Sequence, residues 1–142
     1  MPAFAVYGAD ELAVALREAS DIPEDVKFKA MYAAADIVAA EQKRVGEEKE
    51  VRDPESNVHI LDKIKVNEPK IEKDGASITI TFSDTRKRGN TTTRNAEIAF
   101  INEFGKNGMQ ARPFISVANK KAQERAWDAA ADVIHDYIEK TI

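Results

Sequence analysis

The sequence predicts an α+β fold: a small, mostly antiparallel sheet with two long amphipathic helices packed on one face. Two patterns carry this prediction. Ile78, Ile80 and Phe82 alternate with Ser77, Thr79 and Thr81 just after Asp74-Gly75, as expected of a half-buried strand leaving a tight turn. Val26, Ala30, Ala33 and Ile37 recur at helical spacing near the start, and Ala118, Ala122 and Ala126 do so near the end. A two-faced strand and two striped helices bury their apolar sides most simply against one another.

Taken in order, Asp10 suits an N-cap, and Leu12, Ala15, Leu16 and Ala19 follow at helical intervals, so a short helix is predicted over 10–19. Pro23 suits the first turn of a longer helix over about 23–45, with Met31, Ala34 and Val38 widening its stripe. Composition then turns charged, Gly46 weakens helix and Pro54 closes the region, which predicts a loop over 47–57. Ile64 and Val66 alternate with Lys63, Lys65 and Asn67 as a strand, and Ile71 leads into the Asp74-Gly75 turn. Residues 85–95 read as a polar loop with Gly89-Asn90 at its middle. The run 96–104 fits both periods, but Gly105 directly after Phe104 would cap a helix, which favours a short helix there. A flexible stretch over 105–110 and a long helix over about 116–138 complete the reading. The stripe of that helix runs Ala118, Ala122, Ala126, Ala129, Val133 and Tyr137, flanked by Ala130, Ile134 and Ile138.

A chain of 142 residues has room for one domain over 1–142 and for an apolar core without covalent staples. The net charge of -4 argues against a protein that coats nucleic acid over its whole surface, although a local basic patch is compatible with it. Cysteine is absent, which excludes disulfides and thiolate metal sites. The first eight residues have no basic stretch leading into an apolar run, so no secretory signal is predicted, and no apolar stretch approaches the ~20 residues of a membrane helix.

Catalytic chemistry finds few candidates. His59 and His135 are the only histidines. His135 lies among Asp132, Asp136 and Glu139, where a solvated surface role is the simpler account. No metal-binding spacing, acidic calcium loop or phosphate loop is present: Gly105-Lys106-Asn107-Gly108 lacks both a preceding strand and the Gly-Lys-Ser/Thr ending. No catalytic, cofactor-binding or metal-binding residue is nominated. A hydrolase would need a pocket of convergent polar groups, and the sequence nominates none.

One cluster invites a binding role. Arg86, Lys87, Arg88 and Arg94 lie close together, interleaved with Thr, Asn and Gly that donate hydrogen bonds to phosphate. No aromatic residue sits among them, so base stacking is not suggested. The plain account is a solvated hairpin tip kept soluble by charge. The functional one is salt-dependent contact with DNA or a partner, and the rival overall reading is a small nucleic-acid-binding protein using residues 86–94.

The run Ala96-Glu97-Ile98-Ala99-Phe100-Ile101-Asn102-Glu103-Phe104-Gly105, a short gap, Ala111-Arg112-Pro113-Phe114-Ile115 and a long helix resemble the minor tail or neck component family of long-tailed phages and prophages. Glu103-Phe104-Gly105 and Pro113-Phe114 match its hallmark. Gly8-Ala9-Asp10-Glu11-Leu12 resembles the family's opening helix. Asp53-Pro54-Glu55-Ser56-Asn57 departs from its usual turn before the first strand. The resemblance implies a non-enzymatic structural subunit of a head–tail junction or tail-completion ring. It implies assembly with itself as a closed hexamer, contact with neighbouring connector and tail proteins, DNA in the lumen, no cofactor, and residence in the virion after assembly in host cytoplasm. In physical terms, Phe104 and Phe114 are expected to anchor the two ends of the connection in the core, with Gly105 as a left-handed turn and Pro113 fixing the entry to the last helix. The segments 47–57 and 85–95 are expected to order on assembly.

Overall fold

The computed structural model of the chain describes residues 3–6, 12–17, 22–51, 60–72, 75–88 and 90–141. Its centre is an antiparallel sheet built on the strand with the clearest alternation. Strands β1 (Ala3–Val6), β2 (Leu12–Arg17), β3 (Ile64–Val66), β4 (Lys70–Glu72) and β5 (Gly75–Phe82) form it in the order β1-β2-β5-β3, with β4 also paired to β5. On one edge of β5, Leu12 pairs with Ile80 and Arg17 with Gly75. On the other, β3 and β4 lie end to end, with Ile64 opposite Phe82 and Lys70 opposite Ser77. Ala76, Ile78, Ile80 and Phe82 are buried, whereas Ser77, Thr79 and Thr81 are half-buried, so the period-two pattern becomes a core face and a wetter face.

The predicted helix over 10–19 is not there. Leu12–Arg17 is a strand between β1 and β5; Asp10 and Ala19 lie outside the described residues. In Leu12-Ala13-Val14-Ala15-Leu16 every position is apolar, so the run satisfies either period, and the open edge of β5 decides between them.

Helix α1 (Glu24–Glu48) begins after Pro23, whose carbonyl accepts the N–H groups of Val26 and Lys27 at 3.1 Å. It runs three residues past the predicted end. Gly46 is buried inside it, and a Cβ there would lie 2.5 Å from Leu61 Cδ2. The glycine therefore admits a neighbouring side chain and does not end the helix. The end comes at Glu50, in the left-handed region at φ 58°, where the Val51 N–H returns to the Gly46 carbonyl at 2.9 Å. Residues 52–59, including most of the predicted 47–57 loop and His59, lie outside the described residues.

Beyond β5, β6 (Thr85–Arg88) and β7 (Thr91–Arg94) pair as a hairpin where a loop was expected, with Thr85 opposite Arg94 and Arg88 opposite Thr91. The threonines supply β-branched side chains suited to a ladder, which a purely polar reading of the segment overlooks. Helix α2 (Asn95–Phe104) and helix α3 (Phe114–Thr141) follow, as predicted, with slightly wider bounds for α3.

Helices α1 and α3 pack side by side and antiparallel over one face of the sheet. One core region joins Met31, Ala34 and Val38 of α1 to Ile78 and Ile80 of β5 and to Ala122, Ala126 and Ala130 of α3. A second gathers Val45, Leu61, Phe82, Ile98, Phe114 and Ala118 around the start of α3, with Phe82 and Phe114 edge to face at 5.8 Å. The buried line of α3 runs Ala118, Ala122, Ala126, Ala130 and Ile134, while Ala129, Val133 and Tyr137 are only half-buried. Four-residue steps advance about 40° around a helix of 3.6 residues per turn, so the contact drifts as two obliquely packed helices require.

Candidate assembly surface at the α2–α3 junction

The family-like segment folds as a joint between α2 and α3. Glu103, on the last turn of α2, is buried, and its carboxylate accepts the backbone N–H groups of Ile115 at 2.8 Å and Ser116 at 3.0 Å. These are donors that the first turn of α3 leaves without intrahelical partners, and the negative charge sits at the positive end of the helix dipole. Gly105, at φ 77°, ends α2 with its N–H on the Ile101 carbonyl at 2.7 Å; a Cβ there would lie 2.8 Å from the Ala111 nitrogen. The return path is tied down by the Arg112 N–H, which donates to the Asn102 carbonyl at 2.6 Å, and by the Arg112 guanidinium, which donates to the Glu50 carbonyl at 2.7 Å. The expected flexible stretch is a tight turn in which Lys106 and Met109 exchange backbone hydrogen bonds of 3.1 and 2.9 Å.

Of the two phenylalanines expected to anchor this connection, one does. Phe114 is fully buried against Phe82. Phe104 is 51% exposed and lies against Phe100, also 51% exposed, with ring centroids 4.6 Å apart. The inward position on the last turn of α2 belongs to Glu103, one residue and about 100° around the helix from Phe104. Anchoring by Phe104 is therefore corrected to anchoring by Glu103. Pro113 is exposed and immediately precedes Phe114, the first residue of α3, consistent with its expected place at the helix entry.

The basic cluster is divided. Arg86 is buried, and its Nε donates to Asn95 Oδ1 at 2.7 Å. Asn95 is itself fully buried; its Nδ2 donates to the Ser83 carbonyl at 2.9 Å and its backbone N–H to the Asp84 carbonyl at 3.0 Å. Arg86 thus links the hairpin to the first residue of α2, which corrects its expected place in a solvent-facing patch. Lys87 and Arg94 are exposed, and the side chain of Arg88 lies outside the described residues. Composition pointed to charge, but only the register of β6 with β7 decides which cations face inward.

A third cluster was not foreseen. Glu41 of α1 is buried and accepts from Arg44 Nε at 3.1 and 3.2 Å and from Arg125 Nη2 of α3 at 2.9 Å. The Arg44 hydrogen bonds lower its pKa from 4.5 to about 2 against the opposing effect of burial, with Arg125 adding to the lowering. Next to it, Gln42 Nε2 donates to Asn119 Oδ1 at 3.1 Å, a second polar tie between the long helices. The Glu41–Arg44 spacing was a readable helix pair; the partnership with Arg125 was not, because it depends on how α3 crosses α1. His135 is exposed, with Nε2 3.1 Å from Glu139 Oε1. Among the described residues no group of three His, Asp or Glu side chains is placed to hold a metal ion.

No protein-family model, curated protein or solved structure matches this chain.

Proposed function

We propose that this chain is a non-enzymatic structural subunit of a phage head–tail junction or tail-completion ring, helping to join the tail to the DNA-filled head. The observation that carries this reading is the division of labour in the resemblance-bearing segment. Glu103, Gly105 and Phe114 hold the α2–α3 joint, while Phe104 turns outward and pairs with Phe100. An aromatic pair that the subunit's own core does not use is the kind of surface that a neighbouring subunit covers. In this reading the partners are further copies of the chain, six in a closed ring, and the adjoining connector and tail proteins. The chain resides in the virion, after assembly in host cytoplasm, and acts without cofactor or turnover.

The rival nucleic-acid-binding reading is weakened by Arg86, which is committed to Asn95 and leaves fewer exposed cations on the hairpin. A stop codon placed in this reading frame of its native genome tests the proposal. Filled heads and separate tails seen by electron microscopy are the expected result. Joined, infectious particles in the absence of the chain, or a genome that makes no particles at all, would overturn it.

A further inference from the structure

We infer that two different faces of this chain are complementary and dock head to tail between copies: the aromatic–basic end made by α2 and the β6–β7 hairpin, and the acidic outer face of the second half of α3. This deepens the ring reading and rests on it.

The first face is built around the Phe100–Phe104 pair. Exposed Arg94 immediately precedes α2, and exposed Lys106 follows Gly105 at its other end. The adjoining hairpin adds exposed Lys87, whereas Arg86 is buried on Asn95, and Glu97 on the first turn of α2 is the exposed carboxylate beside them. The second face lies on α3. Between 124 and 140 there are five carboxylates against two cations, Arg125, which Glu41 engages, and Lys140 on the last turn; Glu139 also lies 3.1 Å from His135 Nε2. At about 100° per residue, Asp128, Asp132, Asp136 and Glu139 fall within an arc of about 80°, and all four are exposed. Beside them Trp127 (49% exposed), Ala131 and Ile138 (43% exposed) form an apolar shoulder within about 40°. One face thus offers aromatic rings with more exposed cations (Lys87, Arg94, Lys106) than carboxylates (Glu97) around them, and the other an indole and aliphatic surface flanked by carboxylates. Such pairing steers encounter through charge and holds the contact through apolar burial.

Geometry keeps the two faces apart within one molecule. The joint at Glu103 sets the first face beside the start of α3. Trp127 lies 12 residues along that rod from Ile115 and Ile138 lies 23, which is ~18 and ~35 Å at 1.5 Å per residue. Faces of opposite character set ~18 to ~35 Å apart along one helix satisfy each other only between molecules. A contact of that kind is heterologous and either closes into a ring or runs on as a filament.

Sedimentation velocity up to millimolar concentration, at low and high salt, tests the inference with three proteins: the wild type, a Phe100→Ser/Phe104→Ser variant and an Asp128→Lys/Asp132→Lys variant. All four positions are exposed, so both variants should keep the wild-type circular dichroism and melting temperature; Trp127→Ser supplies an independent block of the second face. The wild type should self-associate, less so at high salt. Each variant alone should associate ~30-fold or more weakly. An equimolar mixture of the two should form a heterodimer and stop there, because one intact face of each kind remains. Wild-type assembly that both variants match would overturn this interface while leaving a ring through other surfaces. A mixture that stays monomeric although each variant blocks assembly would show the faces not to be complementary and would also overturn it. A wild type that stays monomeric throughout overturns the docking inference, whereas the ring reading stands or falls on the particle phenotype above.

Discussion

The Glu103 carboxylate holds the backbone N–H of Ile115 at 2.8 Å from a buried position, so the last turn of α2 caps the first turn of α3. Two helices joined by nine residues (105–113) are thereby fixed end to end by a charge-assisted hydrogen bond, with Ser116 sharing the same carboxylate. The joint orients the exposed face of α2 relative to the whole length of α3.

Glu103→Ala should therefore cost about 2 kcal/mol of stability, since it removes the cap and leaves buried donors unmet. Glu103→Gln keeps one acceptor oxygen but loses the charge at the helix N-terminus, and should cost about 1 kcal/mol. Urea unfolding of the three proteins measures both; an alanine variant as stable as the wild type would remove the joint from the account.

The two phenylalanines of the segment should behave oppositely. Phe114→Ala empties a fully buried site facing Phe82 and should cost about 3–5 kcal/mol. Phe104→Ala truncates a half-exposed ring and should stay within about 0.5 kcal/mol in the isolated chain. Thermal or urea melts of the pair would expose an error if the two costs proved similar.

Gly46→Ala is a test of close packing. Alanine favours a helix interior over glycine by about 1 kcal/mol, so propensity alone predicts stabilisation. The added Cβ would sit 2.5 Å from Leu61 Cδ2, and Leu61 is itself buried. Overpacking of this kind costs about 1–3 kcal/mol and should outweigh the gain. A rise in melting temperature would mean that Leu61 has room to move.

Acid should weaken the α1–α3 contact through Glu41. Its pKa is lowered in the folded chain from 4.5 to about 2, chiefly by Arg44. The unfolded chain consequently binds the proton more readily, and the stabilisation is complete above about pH 4.5 and lost as pH falls toward 2. The arginine side chains are at least half exposed, so solvent screening keeps the effect modest. Urea midpoints at pH 5, 4 and 3 should fall less steeply in Glu41→Gln than in the wild type; parallel slopes would show that the ion pairs contribute nothing.

Much of the architecture was legible because it rests on period. The alternation in β5, the alanine lines of α1 and α3 and the glycine after Phe104 each encode local geometry in neighbouring residues, and the structure follows them. Misreadings came where the pattern was ambiguous. The all-apolar run Leu12-Ala13-Val14-Ala15-Leu16 fits both periods, and the threonine-rich hairpin at 85–94 looked like a polar loop.

The sequence by itself determined which segments have an apolar side and where the chain must turn, because burial of that side is dictated by residues three, four or two positions apart. Only the tertiary structure decided that Leu12–Arg17 joins the sheet, that Arg86 faces inward to Asn95, and that Glu103 takes the inward place expected of Phe104. Each of those outcomes depends on a partner distant in sequence or on a rotation of one residue about a helix, and periodicity carries no information about which partner will be there.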